Sequence, residues 1–242
     1  MALLGSGVMT FWNNIAEGGD EEFVEWHVLE HIPERVGIQG FVRGRRYIAV
    51  DGGKPSYFNF YETADPDVLS SPGYLERLNT PSDWTRKNLG QFRDSNRTLC
   101  SVAASLGRGE GAAMETVQLK TDKDPQAFKA ALSGTVLPAI LTARGIIGVH
   151  LLEGLTAASK AGTAEKKLRS QPDQVADWVV LIEAVEADAL KAARSGASSD
   201  AAFQKAGATS DMLRGIYRLQ YSLGRNEMDR GATAPLQWDK SA

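Results

Sequence analysis

His27, Glu30 and His31 stand at spacings of three and four residues. On a helix such side chains share one face, so two imidazoles and a carboxylate can converge on one ligand. Three chemistries fit this set. Imidazoles at i and i+4 can grip a single metal ion, with the carboxylate as general base. A histidine facing a hollow can move protons as general acid or base, because its pKa lies near neutrality. The third reading is structural: one histidine caps the end of the helix while the other packs beside Trp26.

A second chemistry-bearing set lies on segments that alternate like strands. Arg43, Arg45 and Tyr47 fall with Phe41 on one face of 41–50, leaving Val42, Gly44, Arg46 and Ile48 on the other. Trp12 and Asn14 alternate with Phe11 and Asn13, and Tyr57, Asn59 and Tyr61 alternate with Phe58, Phe60 and Glu62. The polar-aromatic faces are expected to line a hollow and the apolar faces to meet helices. In that arrangement His27 or His31 moves a proton and Arg43 or Arg45 holds developing negative charge. Trp12, Asn14, Trp26, Tyr47, Tyr57, Asn59 and Tyr61 would bind the ligand, a small, flat, anionic or enolisable organic molecule. Arg46 is expected at a solvated rim. Cys100, within a strand, reads as a small buried hydrophobe.

The elements that must position these groups come twice. Phe23, Pro33 and Gly40 align with Phe128, Pro138 and Gly145 at one constant offset, and Ser105-Leu106-Gly107-Arg108 recurs as Ser222-Leu223-Gly224-Arg225. Between those anchors Glu62 aligns with Glu183 at a larger offset, which requires an insertion near 156–177. That stretch of Ala, Gly, Ser, Lys and Gln reads as a mobile loop. Each copy reads β-α-β-β-α-β. In the first copy the strands are 8–15, 41–50, 56–62 and 97–105. Helices follow Asp20, which is placed to cap, and Asp67; Pro33 is expected to end the first of them. In the second copy the strands are 116–121, 146–154, 178–185 and 216–223, with helices 125–143 and 188–205. The fold class is α+β: tandem ferredoxin-like repeats whose two antiparallel four-stranded sheets face each other as an α/β barrel. Residues 1–110 form the first repeat, 111–227 the second, and 228–242 a C-terminal tail containing Trp238.

The phrase Trp26-His27-Val28-Leu29-Glu30-His31-Ile32-Pro33-Glu34-Arg35, followed by Gly40-Phe41 and Arg45-Arg46-Tyr47, resembles the dimeric α/β-barrel superfamily. Its EthD-like and antibiotic-biosynthesis-monooxygenase-like branches have this run of helix, proline and Gly-Phe strand start. The resemblance implies a fold and a small-molecule cavity, with chemistry that ranges over cofactor-free monooxygenases, isomerases and cyclases. The favoured reading is a cofactor-independent isomerase, cyclase, lyase or monooxygenase acting on an aromatic or enolisable compound, with no cofactor assigned. Three alternatives stand beside it. Chlorite dismutase-like haem proteins share the tandem layout but need an axial histidine on a helix of the second copy, whose lone histidine, His150, reads as strand. A non-catalytic binding or assembly protein would use the histidine-rich helix as an interface. A zinc site would use His27-x-x-Glu30-His31, which matches the inverted zinc-peptidase pattern; those peptidases need a larger domain and a third acidic ligand from another helix, and Pro33 is expected to end the regular helix the motif requires, so no metal is assigned.

The copies have diverged unequally. The first holds most of the aromatic residues, two of three histidines, and nine arginines against two lysines. Where it has His31, Glu34 and Arg35, the second has Val136, Ala139 and Ile140. A half that keeps apolar equivalents reads as scaffold, which places the site in the first half. Composition narrows the partners. The formal net charge is −3 at pH 7, so no basic excess exists to neutralise a nucleic-acid backbone. No apolar run approaches the roughly 20 residues of a membrane span, and one cysteine forms no internal disulfide. The expected partner is a small organic molecule, neither nucleic acid nor membrane, in a cytoplasmic protein, with a homodimer left open.

Overall fold

Alternating hydrophobicity produces eight strands, and their registers decide which faces meet. In a computed structural model, which describes residues 3–228 together with 236 and 238, β1 (Gly7–Ile15) lies between β3 (Tyr57–Thr63) and β4 (Phe92–Gly107). β3 also pairs with β2 (Phe41–Ala49). The second half repeats the order: β5 (Ala113–Leu119) sits between β7 (Trp178–Ala184) and β8 (Leu213–Gly224), and β7 pairs with β6 (Ile146–Gly154). Two seams, β2 on β8 and β4 on β6, close the sheets into one antiparallel barrel. Among the described residues, closure leaves no row of unpaired strand amides to recruit another chain. The expected tail lies outside the described residues except for Leu236 and Trp238, both exposed.

The inside of the barrel is filled, which corrects the expectation of a hollow between the sheets. Trp12, Tyr47, Phe58 and Phe60 of one half pack against Met114, Leu181 and Tyr217 of the other. The Trp12 indole N–H reaches across from β1 to donate to Thr116 Oγ1 on β5 at 3.0 Å. One end is closed by charge. Arg45 donates to Glu183 at 3.0 Å and to Glu62 at 3.3 Å, Arg43 Nε donates to Glu62 at 2.6 Å, and His150 Nε2 lies 3.3 Å from Glu183 Oε1. Burial would raise the Glu183 pKa, but the Arg45 guanidinium and His150 outweigh it and hold the carboxyl at about 2. Glu62 and Glu183, aligned between the copies, therefore serve the same structural end.

Register also inverts one predicted face. Cross-strand partners share a face, and Phe58 is paired with both Trp12 and Tyr47. Phe58, Phe60 and Glu62 consequently point inward, while Tyr57, Asn59 and Tyr61 point outward toward helices.

The first of those helices does not end at Pro33. An α-helix, α1 (Asp20–Trp26), passes through a π-helical turn (His27–His31) directly into α2 (Ile32–Val36). The wide turn lets the Ile32 amide bond back to His27 O, five residues earlier, so the chain reaches the N–H-less proline without breaking. Asp20 does not cap this helix. It sits in the first turn and accepts from Tyr57 Oη at 2.7 Å. The second copy uses the same device at the same offset: α5 (Pro125–Ala131), a π turn (Leu132–Val136) and α6 (Leu137–Leu141), with Pro138 in place of Pro33. These helices end at Val36 and Leu141, and the chain turns into the strand that follows at a glycine with positive φ, Gly40 (+91°) and Gly145 (+84°). A Cβ there would come within 2.5 Å of Val68 or 2.7 Å of Ala189.

Behind the barrel, α3 (Pro72–Asn79) and α4 (Asp83–Leu89) complete the first helical layer, and α9 (Ala187–Arg194) and α10 (Asp200–Ala206) the second. The second layer is apolar: Phe128, Leu132, Val136 and Ile140 pack on Val117, Leu151, Val180 and Ile182. Each such buried side chain contributes roughly 1.5–3 kcal/mol. The insertion is not a free loop. It folds as α7 (Thr156–Lys160) and α8 (Ala164–Lys167) and lies against the first half.

Candidate functional site

A small cavity lies in the first helical layer, between the outer face of β1, β3 and β4 and the π turn. Its volume is about 30 Å³, room for one or two waters. Met9, Phe11 and Phe92 form its apolar floor, and His27, His31 and Arg35 descend from the helix above. Asn59 and Tyr61 enter from β3, Arg97 from β4 and Tyr74 from α3, while Glu165 and Arg169 of the insertion close the mouth.

The local geometry follows from the π turn, which places both imidazoles on the sheet side. Their rings stack with centroids 5.3 Å apart and 27° between planes. His27 Nε2 shares a 3.2 Å hydrogen bond with Tyr61 Oη. His31 lies against the Trp26 ring at 4.4 Å. Nδ1 of both histidines and Oδ1 of Asn59 are buried without a protein partner. Unpaired buried polar atoms cost energy, so they mark places where water or a ligand atom completes the site.

Positive charge dominates around them. Arg97 donates to Tyr74 Oη at 2.7 Å and Arg169 stands over the Phe11 ring at 4.9 Å. Arg35 pairs with Glu34 at 3.2 Å and with Glu165. Arg46 is fully buried, not at a rim: it lies over the Phe23 and Tyr57 rings, its Nε donates to Gln220, and both terminal nitrogens lack partners. Burial pulls its pKa down to about 10. Burial also holds His27 well below the usual 6.5, helped by Arg46 and Arg35; His31 is lowered by burial and then by Arg35, His27, Arg169 and Arg97. Both imidazoles are therefore neutral at neutral pH. Burial pushes the Tyr61 phenol up, so it too is uncharged.

The structure divides the residues expected to act together. His27, His31, Asn59 and Tyr61 meet at the cavity. Trp26 and Tyr57 stand beside it, Trp26 tied to Glu30 and Thr85, and Tyr57 to Asp20. Trp12, Arg43, Arg45 and Tyr47 belong to the barrel interior instead, because β2 and β1 turn those positions inward. Asn14 sits at the rim, bonded to Asp94 and to the Ser56 amide. Glu30 is turned from the histidines, accepting from Trp26, Ser82 and Thr85. The zinc alternative thus loses its carboxylate, and among the described residues no group of three His, Cys, Asp or Glu could hold a metal ion. His27 and His31 are 3% and 9% exposed, which removes them from any assembly interface.

Arg97, Arg169, Tyr74 and Glu165 were not expected at the site. Arg35 had a signal, as an arginine replaced by Ile140 in the second copy. The others reach the cavity through tertiary packing that no local pattern encodes.

Neither a protein-family model nor a curated protein matches the sequence. Solved structures do match in shape. An anthrone oxidase-like protein superimposes with TM-score 0.62 at 14% identity, covering 96% of each chain. A candidate monooxygenase from Lactobacillus acidophilus gives 0.57 at 8% identity over 91% of this chain and 97% of that one. Another from Fusobacterium nucleatum gives 0.56 at 10% over 92% and 96%. The chain shares their fold, an α+β barrel of eight antiparallel strands with ferredoxin-like halves. In this α/β barrel the second half's histidine, His150, lies on β6 inside the barrel, bonded to Ser105 at 3.0 Å, so the helical axial ligand of the haem alternative is absent among the described residues. No helix of the described residues is long and apolar enough to cross a membrane.

Proposed function

We propose that this α/β barrel binds a small, flat, anionic or enolisable aromatic molecule in the first-half cavity and catalyses proton transfer on it without a cofactor. The carrying observation is the pair of neutral, partner-poor imidazoles set among guanidinium groups and aromatic rings in one buried space. An imidazole takes a proton from an activated C–H of the ligand. The electron pair left behind moves onto a ligand oxygen, where Arg35 and Arg97 stabilise it. The same guanidiniums that weaken the imidazole as a base are offset as negative charge develops, so its basicity rises along the reaction. The anthrone oxidase-like and monooxygenase neighbours support a small-molecule reading of the fold.

In this reading residues 1–110 carry the chemistry and 111–227 the scaffold, apart from the two cavity residues supplied by the insertion. The test is a thermal-shift screen with phenolates and aromatic carboxylates at millimolar concentration, followed by deuterium exchange into any enolisable hit. Stabilisation lost in His27→Gln, with exchange abolished, supports the reading. Absence of stabilisation by every ligand contradicts it.

A further inference from the structure

The insertion does more than cover the cavity. Its two ends are pinned to β4: Leu99 N–H donates to Ser159 Oγ at 2.9 Å, and Gln174 exchanges backbone bonds with Ser95 and Arg97 at 2.8 and 3.0 Å. Between those ends, residues 160–173 are tied to the first half by few bonds. Ala164 N–H donates to Asn79 Oδ1 at 3.0 Å, and Ser170 bonds to Phe92 O at 3.0 Å and to Arg93 at 3.1 Å. Leu168 packs against the cluster of Phe11, Phe23 and Trp26, Arg169 stands over the Phe11 ring, and, among the described residues, the one ion pair to the first half is that of Glu165 with Arg35, whose side chains are 3% and 1% exposed.

That ion pair occupies the space a ligand needs. With Glu165 in place the cavity holds one or two waters and no organic molecule. A buried ion pair returns little net free energy after desolvation, so exchanging one carboxylate for another on Arg35 is nearly balanced. The guanidinium fork matches a carboxylate better than a phenolate, which offers one oxygen. Outside the mouth, a depression of about 470 Å³ carries Lys160, Lys166 and Lys167 and shares Arg169 with the cavity. Asp173 pairs with Arg169 there, and the four cations outnumber that one carboxylate, so a negative ligand is drawn to the mouth.

We propose that Glu165 is an internal stand-in for the carboxylate of the ligand, and that an aromatic carboxylate binds by displacing it from Arg35 and lifting residues 160–173. This rests on the cavity being the ligand site, as proposed above, and narrows the ligand to a class.

The experiment uses the full chain, wild type and Glu165→Gln, with benzoate and its neutral isostere benzamide titrated by calorimetry and ligand-free protein digested with trypsin. Removing the internal competitor should tighten benzoate binding about tenfold, leave benzamide at least tenfold weaker than benzoate, and speed cleavage between Lys160 and Arg169 several-fold. Unchanged or weaker benzoate binding in Glu165→Gln, with wild type still binding, overturns the stand-in while sparing the cavity reading. Cleavage at the wild-type rate overturns it without reference to any ligand. Failure of both proteins to bind either probe, with faster cleavage retained, overturns the ligand assignment.

Discussion

The π turns at His27–His31 and Leu132–Val136 share backbone geometry, offset and following proline, yet their surroundings are opposite. Leu132 and Val136 press into a continuous apolar layer with Phe128, Ile140 and Leu190. His27 and His31, at the matching positions, meet a tyrosine and a crowd of arginines around a cavity. Because both copies carry the turn, it belongs to the fold: it accommodates a proline in mid-helix. What differs is the side chains it holds, and that difference separates a scaffold from a site. A filled position can be tuned for packing alone, whereas a position left polar and unpaired weakens the fold unless something else binds there.

Breaking the comparison from the scaffold side should have the largest effect. Leu132→His places an imidazole where no partner exists, and urea unfolding should show a loss of about 3 kcal/mol or more. The reverse change, His31→Val, copies the second half into the first; it should alter stability by no more than about 1 kcal/mol while abolishing ligand-induced thermal shift. A stability loss in His31→Val as large as that in Leu132→His would erase the distinction.

Acid sharpens the contrast more gently. Below pH 6.5 the unfolded chain takes up protons on His27 and His31 that the folded protein refuses. Stability therefore falls as pH drops below 6.5, and His31→Val should make that fall shallower in a pH series of denaturation midpoints. The smallest effect is expected at Arg46. Arg46→Met removes a buried, partly unpaired charge, so stability should move by less than about 1 kcal/mol, and the His27 imidazole, relieved of a neighbouring cation, should titrate higher by NMR. A downward shift would contradict the charge assignment.

Much of the fold was legible because it rests on short-range patterns. Alternation marked the strands, and Phe23, Pro33 and Gly40 announced their copies at Phe128, Pro138 and Gly145. The site was legible only in part. Alternation splits β3 into Tyr57-Asn59-Tyr61 and Phe58-Phe60-Glu62 but does not say which set points inward. That depends on Phe58 lying opposite Trp12 and Tyr47, a long-range register. The same limit hid Arg97 and Arg169, which reach the cavity from a distant strand and from the insertion. Pro33 misled for a different reason: proline normally stops a helix, and the π turn that rescues it has no sequence signature of its own.

The chain's three histidines allow the central claim to be tested in one titration. Two line the first-half cavity and the third, His150, sits inside the packed barrel. With imidazole-labelled protein and benzoate added stepwise, the NMR signals of His27 and His31 should shift together and saturate while His150 stays still. Movement of His150 alone, or of none of the three, would contradict the account.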